Sequence, residues 1–331
     1  MFLDNNWYGH RFILAEYCGI KDRPSFSSIQ HGWAAYYNEG FFAKQPDGSF
    51  GSNKRLNFPY LVWSNEIEEK CNKNGLKNVH SIGSPFIYLC EILKTNENDN
   101  YNQNHSGVLF FPSHNTIYHK DAWSDHDLII TEIEKISEGP YTVCFYYEDI
   151  KSKEVDIYRK RNWNIISCGS RNDKHMLYKQ YMEIIKHKMI ITTEVCTPLF
   201  YGMFLKKKTK LLKSINNKKI FDRIESRLDK STVPFDYKSQ AISYEKYEKK
   251  LIEKYPSIIN EFLDENKGFE IAKNELGLNS KKSSQELKKL LGWSSFFKSS
   301  LSNIIYIFFN IKYGNRARTG QHELKILPKN K

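Results

Sequence analysis

KMIITTEVCTPLFYGMFL, residues 188–205, is the stretch from which we interpret the rest of the chain. Its apolar run Met189–Ile191 predicts a buried parallel strand. A hydroxyl-rich turn follows at 192–197, and Thr197 and Pro198 suit the N-cap and first turn of a short apolar helix. Unpaired N–H groups at a helix N-terminus attract anions, so the junction predicts an anion site at the carboxyl edge of a sheet. An ordinary strand–helix junction is the alternative.

Apolar runs alternate with helical patterns on both sides of this stretch. Upstream, we predict strands at 27–29, 58–63, 78–82, 107–111, 141–147 and 164–168, and helices at 7–22, 64–73, 86–93, 124–137, 151–161 and 174–186. Downstream, Lys206-Lys207-Lys208 is expected to leave the sheet, and residues 236–290 read as charged helices. The alternation predicts an α/β fold with parallel, doubly wound sheets and helices on both faces.

Composition limits the partners that the protein can have. The chain has 331 residues, enough for two domains, and its formal net charge of +12 suits an anionic partner. That partner could be a nucleotide, a phospholipid surface or nucleic acid, and lysines on solvated faces are the plain alternative. Because the lysines are scattered and no nucleic-acid module is recognisable, no nucleic-acid partner is predicted.

Cysteine usage and the N-terminus indicate a compartment. The six cysteines form no C-x-x-C pair and no zinc pattern, so we expect buried free thiols and no metal. The first residues lack the basic start and apolar core of a signal peptide. No run of about 18 uncharged apolar residues occurs, which disfavours a spanning helix. We expect a cytoplasmic protein.

Changes of composition predict three parts. The polar segment 95–106 is the best linker, which gives an N-terminal domain at 1–100 and a second domain at 101–235. A helical extension occupies 236–331, and residues 290–311 carry an apolar stripe typical of a helix lying in a membrane interface. Basic residues beyond that stripe would meet anionic headgroups. A C-terminal helix packed on its own domain is the alternative.

Polar or glycine-bearing clusters follow the predicted strands. Because the carboxyl ends of parallel strands share one edge of a sheet, these clusters can meet across a cleft although they are distant in sequence. The clusters are His31-Gly32, Gly83-Ser84-Pro85, Pro112-Ser113-His114, Gly169-Ser170-Arg171 and Thr192–Thr197, with Asp149 at a further strand end.

In this order the clusters resemble the GT-B glycosyltransferases that build bacterial surface polysaccharides such as capsule and lipopolysaccharide O-antigen. More loosely, they resemble the polyol-phosphate transferases of teichoic-acid synthesis. The resemblance covers roughly residues 7–213. It implies two Rossmann-like domains of the GT-B type facing a central cleft, a shortened acceptor domain followed by a nucleotide-donor domain, with the helical extension beyond them.

The resemblance also implies roles for particular residues. Gln30-His31-Gly32-Trp33 is similar to a histidine–glycine turn whose histidine serves as base in some relatives, so His31 is the expected catalytic base, with Asp149 in reserve. The expected donor-binding residues are Ser113, His114, Gly169, Ser170, Arg171, Thr192, Thr193, Glu194 and Thr197. The expected acceptor-side residues are Gly32, Trp33, Gly83 and Ser84.

These roles predict transfer of a sugar from a nucleotide-sugar donor to a hydroxyl of a growing or lipid-linked glycan at the inner face of the cytoplasmic membrane. No cofactor or metal is expected. The signatures of bacterial sialyltransferases are missing, so a CMP-sugar donor is not implied, and the paired glutamates of many retaining enzymes are missing, which favours inversion. The alternatives are a polyol-phosphate transferase using the same cleft and a non-catalytic peripheral membrane protein of the same fold.

Overall fold

The computed structural model describes residues 7–25, 27–30, 32–33, 59–73, 75–96, 105–112, 126–212, 249–260 and 262–294. The predicted domain boundaries at 100/101 and 235/236 lie outside these ranges, as does most of the predicted linker. Within the described residues, no helix combines the length and the apolar character needed to cross a membrane.

The N-terminal half contains a small parallel sheet in the order β1-β2-β3. A 3₁₀ turn at Trp7–Gly9 leads into its first helix. The elements are α1 (His10–Tyr17), β1 (Ser28–Ile29), β2 (Tyr60–Val62), α2 (Asn65–Lys73), β3 (Val79–Ser81) and α3 (Pro85–Asn96). The hydroxyl of Ser64 accepts a hydrogen bond from the Ile67 amide at 3.4 Å, so it caps α2, the helix that the sequence predicted at 64–73.

The second half contains a five-stranded parallel sheet in the order β6-β5-β4-β7-β8. Its elements are β4 (Val108–Phe111), α4 (His126–Ile136), β5 (Tyr141–Cys144), α5 (Val155–Lys160), β6 (Asn164–Ile166), α6 (Met176–Lys186), β7 (Met189–Thr192), α7 (Thr197–Phe204) and β8 (Lys208–Leu211). The chain proceeds outward from β4 in one direction through β6 and then crosses back to β7. The strand order therefore reverses between β4 and β7, which is the topological switch point of a Rossmann sheet.

Helices cover both faces of the five-stranded sheet. On one face Ile191 packs in a cluster with residues of α4 and α5, and on the other Ile190 packs with residues of α6 and α7. Helix α7 lies directly against the sheet, because a Cβ placed on Gly202 would come within 2.8 Å of the Ile190 side chain. The predicted α/β fold with parallel, doubly wound strands is confirmed.

The C-terminal helices pack on this core. They are α8 (Ser257–Asn260), α9 (Glu265–Glu275) and α10 (Ser284–Leu290). The carboxylate of Asp264 accepts from the Asn266 and Lys267 amides, and Ser283 forms a capping box with Glu286. Helix α9 contacts α7, where Phe269 lies 5.5 Å from Phe204.

Three sequence predictions are wrong. Lys208 does not leave the sheet: Thr209 and Leu211 face inward and pair with β7, and the intervening lysines hid this edge strand. The predicted helix 290–311 does not begin at Leu290, because α10 ends there and Gly292, with φ 75°, adopts a left-handed conformation that terminates a helix. The part of the predicted helix from residue 295 onward lies outside the described residues. Helix α7 begins at Thr197, so its N-cap is Cys196 rather than Thr197.

Candidate functional site

The carboxyl ends of β4 and β7 flank the switch point, where open α/β sheets bind ligands, and we call this edge of the sheet the rim. Thr193, Glu194 and Thr197 are half-buried there, in the turn before α7. In the described structure the Cys196 side chain makes no cap hydrogen bond to α7. The helix dipole places a partial positive charge at the N-terminus of α7, on this rim.

The N-terminal half meets the same rim. The amide of Trp33 donates a hydrogen bond of 2.9 Å to the Thr197 hydroxyl. Gly32 lies so close that a Cβ on it would stand 3.2 Å from that oxygen. The sequence predicted a sharp turn at Gly32, but it is this close approach to Thr197 that favours glycine, since Gly32 is not among the residues with positive φ.

Buried hydrogen bonds fix the turn that carries Gly32 and Trp33. The Gln30 side chain donates to the Gly32 carbonyl at 2.9 Å and accepts from the Trp63 amide at 3.0 Å. One amide side chain thus ties the end of β1 to the end of β2. His31, the expected base, lies between these placed residues but outside the described ones.

A buried carboxylate holds the Trp33 indole. The indole Nε1 of Trp33 donates a hydrogen bond to the Glu275 carboxylate at 3.0 Å. The same carboxylate contacts Lys254, which also pairs with Glu66. Burial acts to lower the pKa of Lys254, but Glu275 and Glu66 outweigh it and the pKa is raised. Glu275 is 7% exposed, so this charge pair reaches the interior behind the rim.

The loop after β6 forms the next part of the rim. Gly169 has φ 101°, a conformation that favours glycine, and its amide is bonded to the Ser167 hydroxyl. Asp173 pairs with Lys179 at 2.6 Å; burial acts to raise the pKa of Asp173, but the bonds from Lys179 and the His175 amide lower it. Arg171 is exposed, and its guanidinium lies 4.2 Å above the centroid of the Trp7 ring.

The turn Trp7–Gly9 docks on this loop from the N-terminal half. The Tyr8 amide donates to the Arg171 carbonyl at 2.6 Å. A Cβ on Gly9 would collide with the Lys174 carbonyl, so the two backbones are in close contact. The first residues of the described chain therefore help to build the edge of the second half.

Hydroxyl groups gather where these segments meet, in what we call the hydroxyl cluster: Tyr8, Tyr146, Tyr201 and Ser84. Burial raises the pKa of the Tyr146 phenol, the nearby Tyr8 hydroxyl raises it further, and Arg171 acts to lower it. Burial likewise raises the pKa of Tyr201, against a hydrogen bond to Ser84. The phenols of Tyr146 and Tyr201 therefore remain protonated and neutral at physiological pH.

The remaining predicted residues occupy several environments. Asp149 is buried in a 3₁₀ turn after β5. Gly83, with φ 78°, and Ser84 are also buried. The Ser84 hydroxyl accepts a hydrogen bond from the Phe86 amide, and the Ser84 amide donates one to the Leu276 carbonyl. Ser84 therefore joins α3 to the end of α9. Thr192 is fully buried, and its hydroxyl has no hydrogen-bond partner among the described residues.

Ser113 and His114 lie outside the described residues, so their predicted roles stay predictions. The structure brings Gly32, Trp33 and Thr197 together, and it brings Ser170 and Arg171 near Tyr147. No group of three His, Cys, Asp or Glu side chains suited to a metal ion occurs in the described part of the chain.

Sequence reasoning missed Trp7, Tyr8, Tyr146 and Glu275. Tyr146 was placed inside a predicted strand 141–147, but β5 ends at Cys144 and the tyrosine lies on the rim. The predicted strand was longer than its neighbours at 107–111 and 164–168, and this mismatch could have indicated that it ends earlier. For Glu275 no local signal existed, because its partner Trp33 lies 242 residues away.

No protein-family model matches the chain, and no curated protein matches it. Among solved structures, the chain is similar to a UDP-GlcNAc 2-epimerase from Neisseria meningitidis bound to UDP-GlcNAc, with 14% identity, a TM-score of 0.39, and coverage of 80% of this chain and 69% of that one. It is also similar to MnaA of S. aureus in a co-structure with UDP, with 14% identity, a TM-score of 0.37, and coverage of 92% and 70%. Neither score reaches 0.5, so the function proposed below depends on this chain's own residues.

Proposed function

We propose that the protein is a glycosyltransferase that moves a sugar from a nucleotide-sugar donor to a hydroxyl of a surface glycan or its lipid-linked precursor. The proposal takes the reaction to be inverting and independent of metal ions. It takes the acceptor to be presented at the inner face of the cytoplasmic membrane.

One observation carries the proposal: the hydrogen bond from the Trp33 amide to Thr197, which joins the rim of the small sheet to the switch point of the large one. Open α/β sheets bind ligands at such a switch point. A rim composed of two halves offers separate places for a donor and an acceptor. The N-terminus of α7 and the exposed Arg171 give that rim an affinity for phosphate.

The chemistry assigned to the residues follows from this arrangement. An acceptor hydroxyl attacks the anomeric carbon while the bond to the leaving nucleotide breaks, and the departing phosphate gains negative charge. His31 takes the proton of the hydroxyl, because imidazole titrates near neutral pH. Thr193, Thr197 and Arg171 stabilise the leaving phosphate by hydrogen bonds and charge.

The bond from Trp33 leaves Thr197 able to act in this way. A hydroxyl has one donor and two acceptor positions, and the Trp33 amide uses an acceptor position. The Thr197 O–H is left to donate to a phosphate oxygen. The same contact that orders the rim therefore also orients the donor.

The test is release of nucleotide from a panel of UDP-, GDP-, CDP- and CMP-linked sugars, with and without a lipid-linked glycan acceptor. We expect release from one nucleotide class, dependent on the acceptor, and loss of turnover in His31→Ala while donor binding survives. His105→Ala, at the edge of the predicted linker, is the matched control and should retain activity. Full activity of His31→Ala would remove the histidine from the mechanism, and no release with any donor would refute the proposal.

A further inference from the structure

The turn Trp7–Gly9 holds a bulky residue in a conformation that L-amino acids rarely adopt. Tyr8 has φ 58° and ψ 14°, in the left-handed region. Its amide is bonded to the Arg171 carbonyl, and Gly9 is pressed against Lys174 on the same loop. Strain of this kind persists where the surroundings fix it, and it concentrates at functional sites.

The strained turn places an aromatic ring beneath a cation. The Arg171 guanidinium lies 4.2 Å from the centroid of the Trp7 ring. A planar guanidinium stacked on an aromatic face is held by the face, and its N–H groups point outward along its edge. Such an edge matches two phosphate oxygens, whereas a flexible arginine would have to be ordered by the ligand itself.

The same turn also holds the backbone of Arg171. The Tyr8 amide is bonded to the Arg171 carbonyl, and the neighbouring Trp7 ring lies beneath the Arg171 guanidinium. The turn therefore fixes both the main chain and the side chain of this arginine.

We propose that the turn Trp7–Gly9 belongs to the donor site, because Trp7 and the Tyr8 amide position the Arg171 guanidinium on a diphosphate group. This inference rests on the proposed function and adds to it a part of the donor site supplied by the N-terminal turn. The ligand chemistry is a diphosphate, either as part of a nucleotide or free.

The test is calorimetric titration of the full chain with inorganic pyrophosphate and, separately, with UDP, GDP and CDP. Pyrophosphate should bind, and one nucleoside diphosphate should bind more tightly. Arg171→Gln should weaken pyrophosphate binding about tenfold or more, and Trp7→Leu about fivefold. Trp7→Phe keeps an aromatic face and should stay within about twofold of the original chain.

Two matched controls come from the same region. Phe12→Leu removes the other cation–aromatic pair of this loop, in which Lys174 lies 5.2 Å from the ring of Phe12. Tyr178→Phe removes a hydroxyl that is bonded to Glu16 instead of belonging to the hydroxyl cluster. Both variants should bind pyrophosphate within about twofold of the original chain.

Arg171→Lys separates positioning from charge, because it keeps the charge but loses the planar group that stacks on Trp7. We expect about a fivefold loss of pyrophosphate affinity and, in the turnover assay, a fall in kcat/KM for the donor, because Arg171 also stabilises the leaving phosphate. Unchanged affinity in Arg171→Lys and Trp7→Leu, or no pyrophosphate binding by the original chain, would overturn the inference. If the inference fails but nucleotide release is still observed, the proposed function stands. If no nucleotide is released but pyrophosphate binding depends on Trp7, only the proposed function is refuted.

Discussion

The two sheets of this protein obtain their order in different ways. The five-stranded sheet is covered on both faces by the helices that connect its own strands. The three-stranded sheet has strands of only two or three residues, and its rim is held by distant parts of the chain. Trp33 is bonded to Glu275, and Ser84 to Leu276, so the end of α9 fixes the N-terminal rim. Half of the candidate site is therefore positioned by a C-terminal helix outside either sheet.

The largest effect expected from this difference is at Gly277. Its φ is 72°, and a Cβ would collide with the Trp63 carbonyl, so Gly277→Ala must separate the end of α9 from the rim after β2. We expect a loss of about 3 kcal/mol or more in the free energy of unfolding, measured with urea.

Gly19→Ala is the control for the backbone angle alone. Gly19 has φ 64°, with nothing within 4 Å of a Cβ placed on it. This substitution should cost about 1 kcal/mol. Equal losses in the two variants would mean that the contact between Gly277 and Trp63 does not hold the rim.

The next effect concerns the buried carboxylate. Glu275→Ala removes the acceptor of the Trp33 indole N–H and one partner of Lys254. The loss in unfolding free energy should be about 2 kcal/mol, because a buried donor is left without a partner. Glu66→Ala removes the exposed partner of the same lysine and should cost less than about 1 kcal/mol. If both variants lose the same amount, the Trp33 bond adds nothing to the stability of the small half.

A third effect concerns the second half, at the edge of its five-stranded sheet that lies opposite the rim. Lys207 is 9% exposed and donates to the Ile185 carbonyl at 2.8 Å. Burial lowers the pKa of Lys207 from 10.5 to about 8. Lys207→Met should therefore raise the unfolding free energy at pH 7 by about 1–2 kcal/mol. The substitution removes the cost of burying the lysine charge, and it also loses the hydrogen bond to Ile185.

The stability difference between Lys207→Met and the original chain should depend on pH. Between pH 8 and 10.5 the unfolded chain binds more protons at Lys207 than the folded chain does, so the stability of the original chain rises with pH across that window. The advantage of Lys207→Met should shrink across it and disappear near its upper end. A constant difference from pH 7 to 10.5 would show that the charge on Lys207 is not the cause.

The smallest effect is expected at Thr209 in β8. Its hydroxyl is buried and has no hydrogen-bond partner among the described residues, so Thr209→Val should leave stability unchanged or raise it by less than about 1 kcal/mol. Thr142→Val is the matched control in β5, because the Thr142 hydroxyl is bonded to His187 at 2.9 Å. That variant should lose about 1 kcal/mol or more. A loss at Thr209 as large as at Thr142 would indicate a hydrogen bond that the structure does not contain.

The parts of the fold that depend on local pattern could be predicted from the sequence. The apolar run at Met189 identified β7, and Ser64 identified the start of α2. The edge strand β8 could not be recognised, because its core-facing residues alternate with lysines that point to the surface. Local pattern therefore identifies buried elements more readily than edge strands.

The candidate site divides along the same line. The turn before α7 and the loop at Gly169 were predicted because their composition is distinctive. The contact between Trp33 and Thr197 spans 164 residues, and Glu275 reaches Trp33 from still further away, so neither leaves a pattern in a short window. The strained turn at Tyr8 has no sequence signature, because Arg171, whose carbonyl its amide contacts, lies far away in the sequence.

Joint binding of one ligand by the rims of both halves can be tested by hydrogen exchange, measured with and without a nucleoside diphosphate that stabilises the protein. If one ligand is bound by the rims of both halves, exchange should slow together in residues 28–33, 169–174 and 192–199, while the opposite edge of the large sheet, around Lys207, stays unchanged. Protection confined to one half, or located away from all three segments, would show that the two rims do not bind one ligand together.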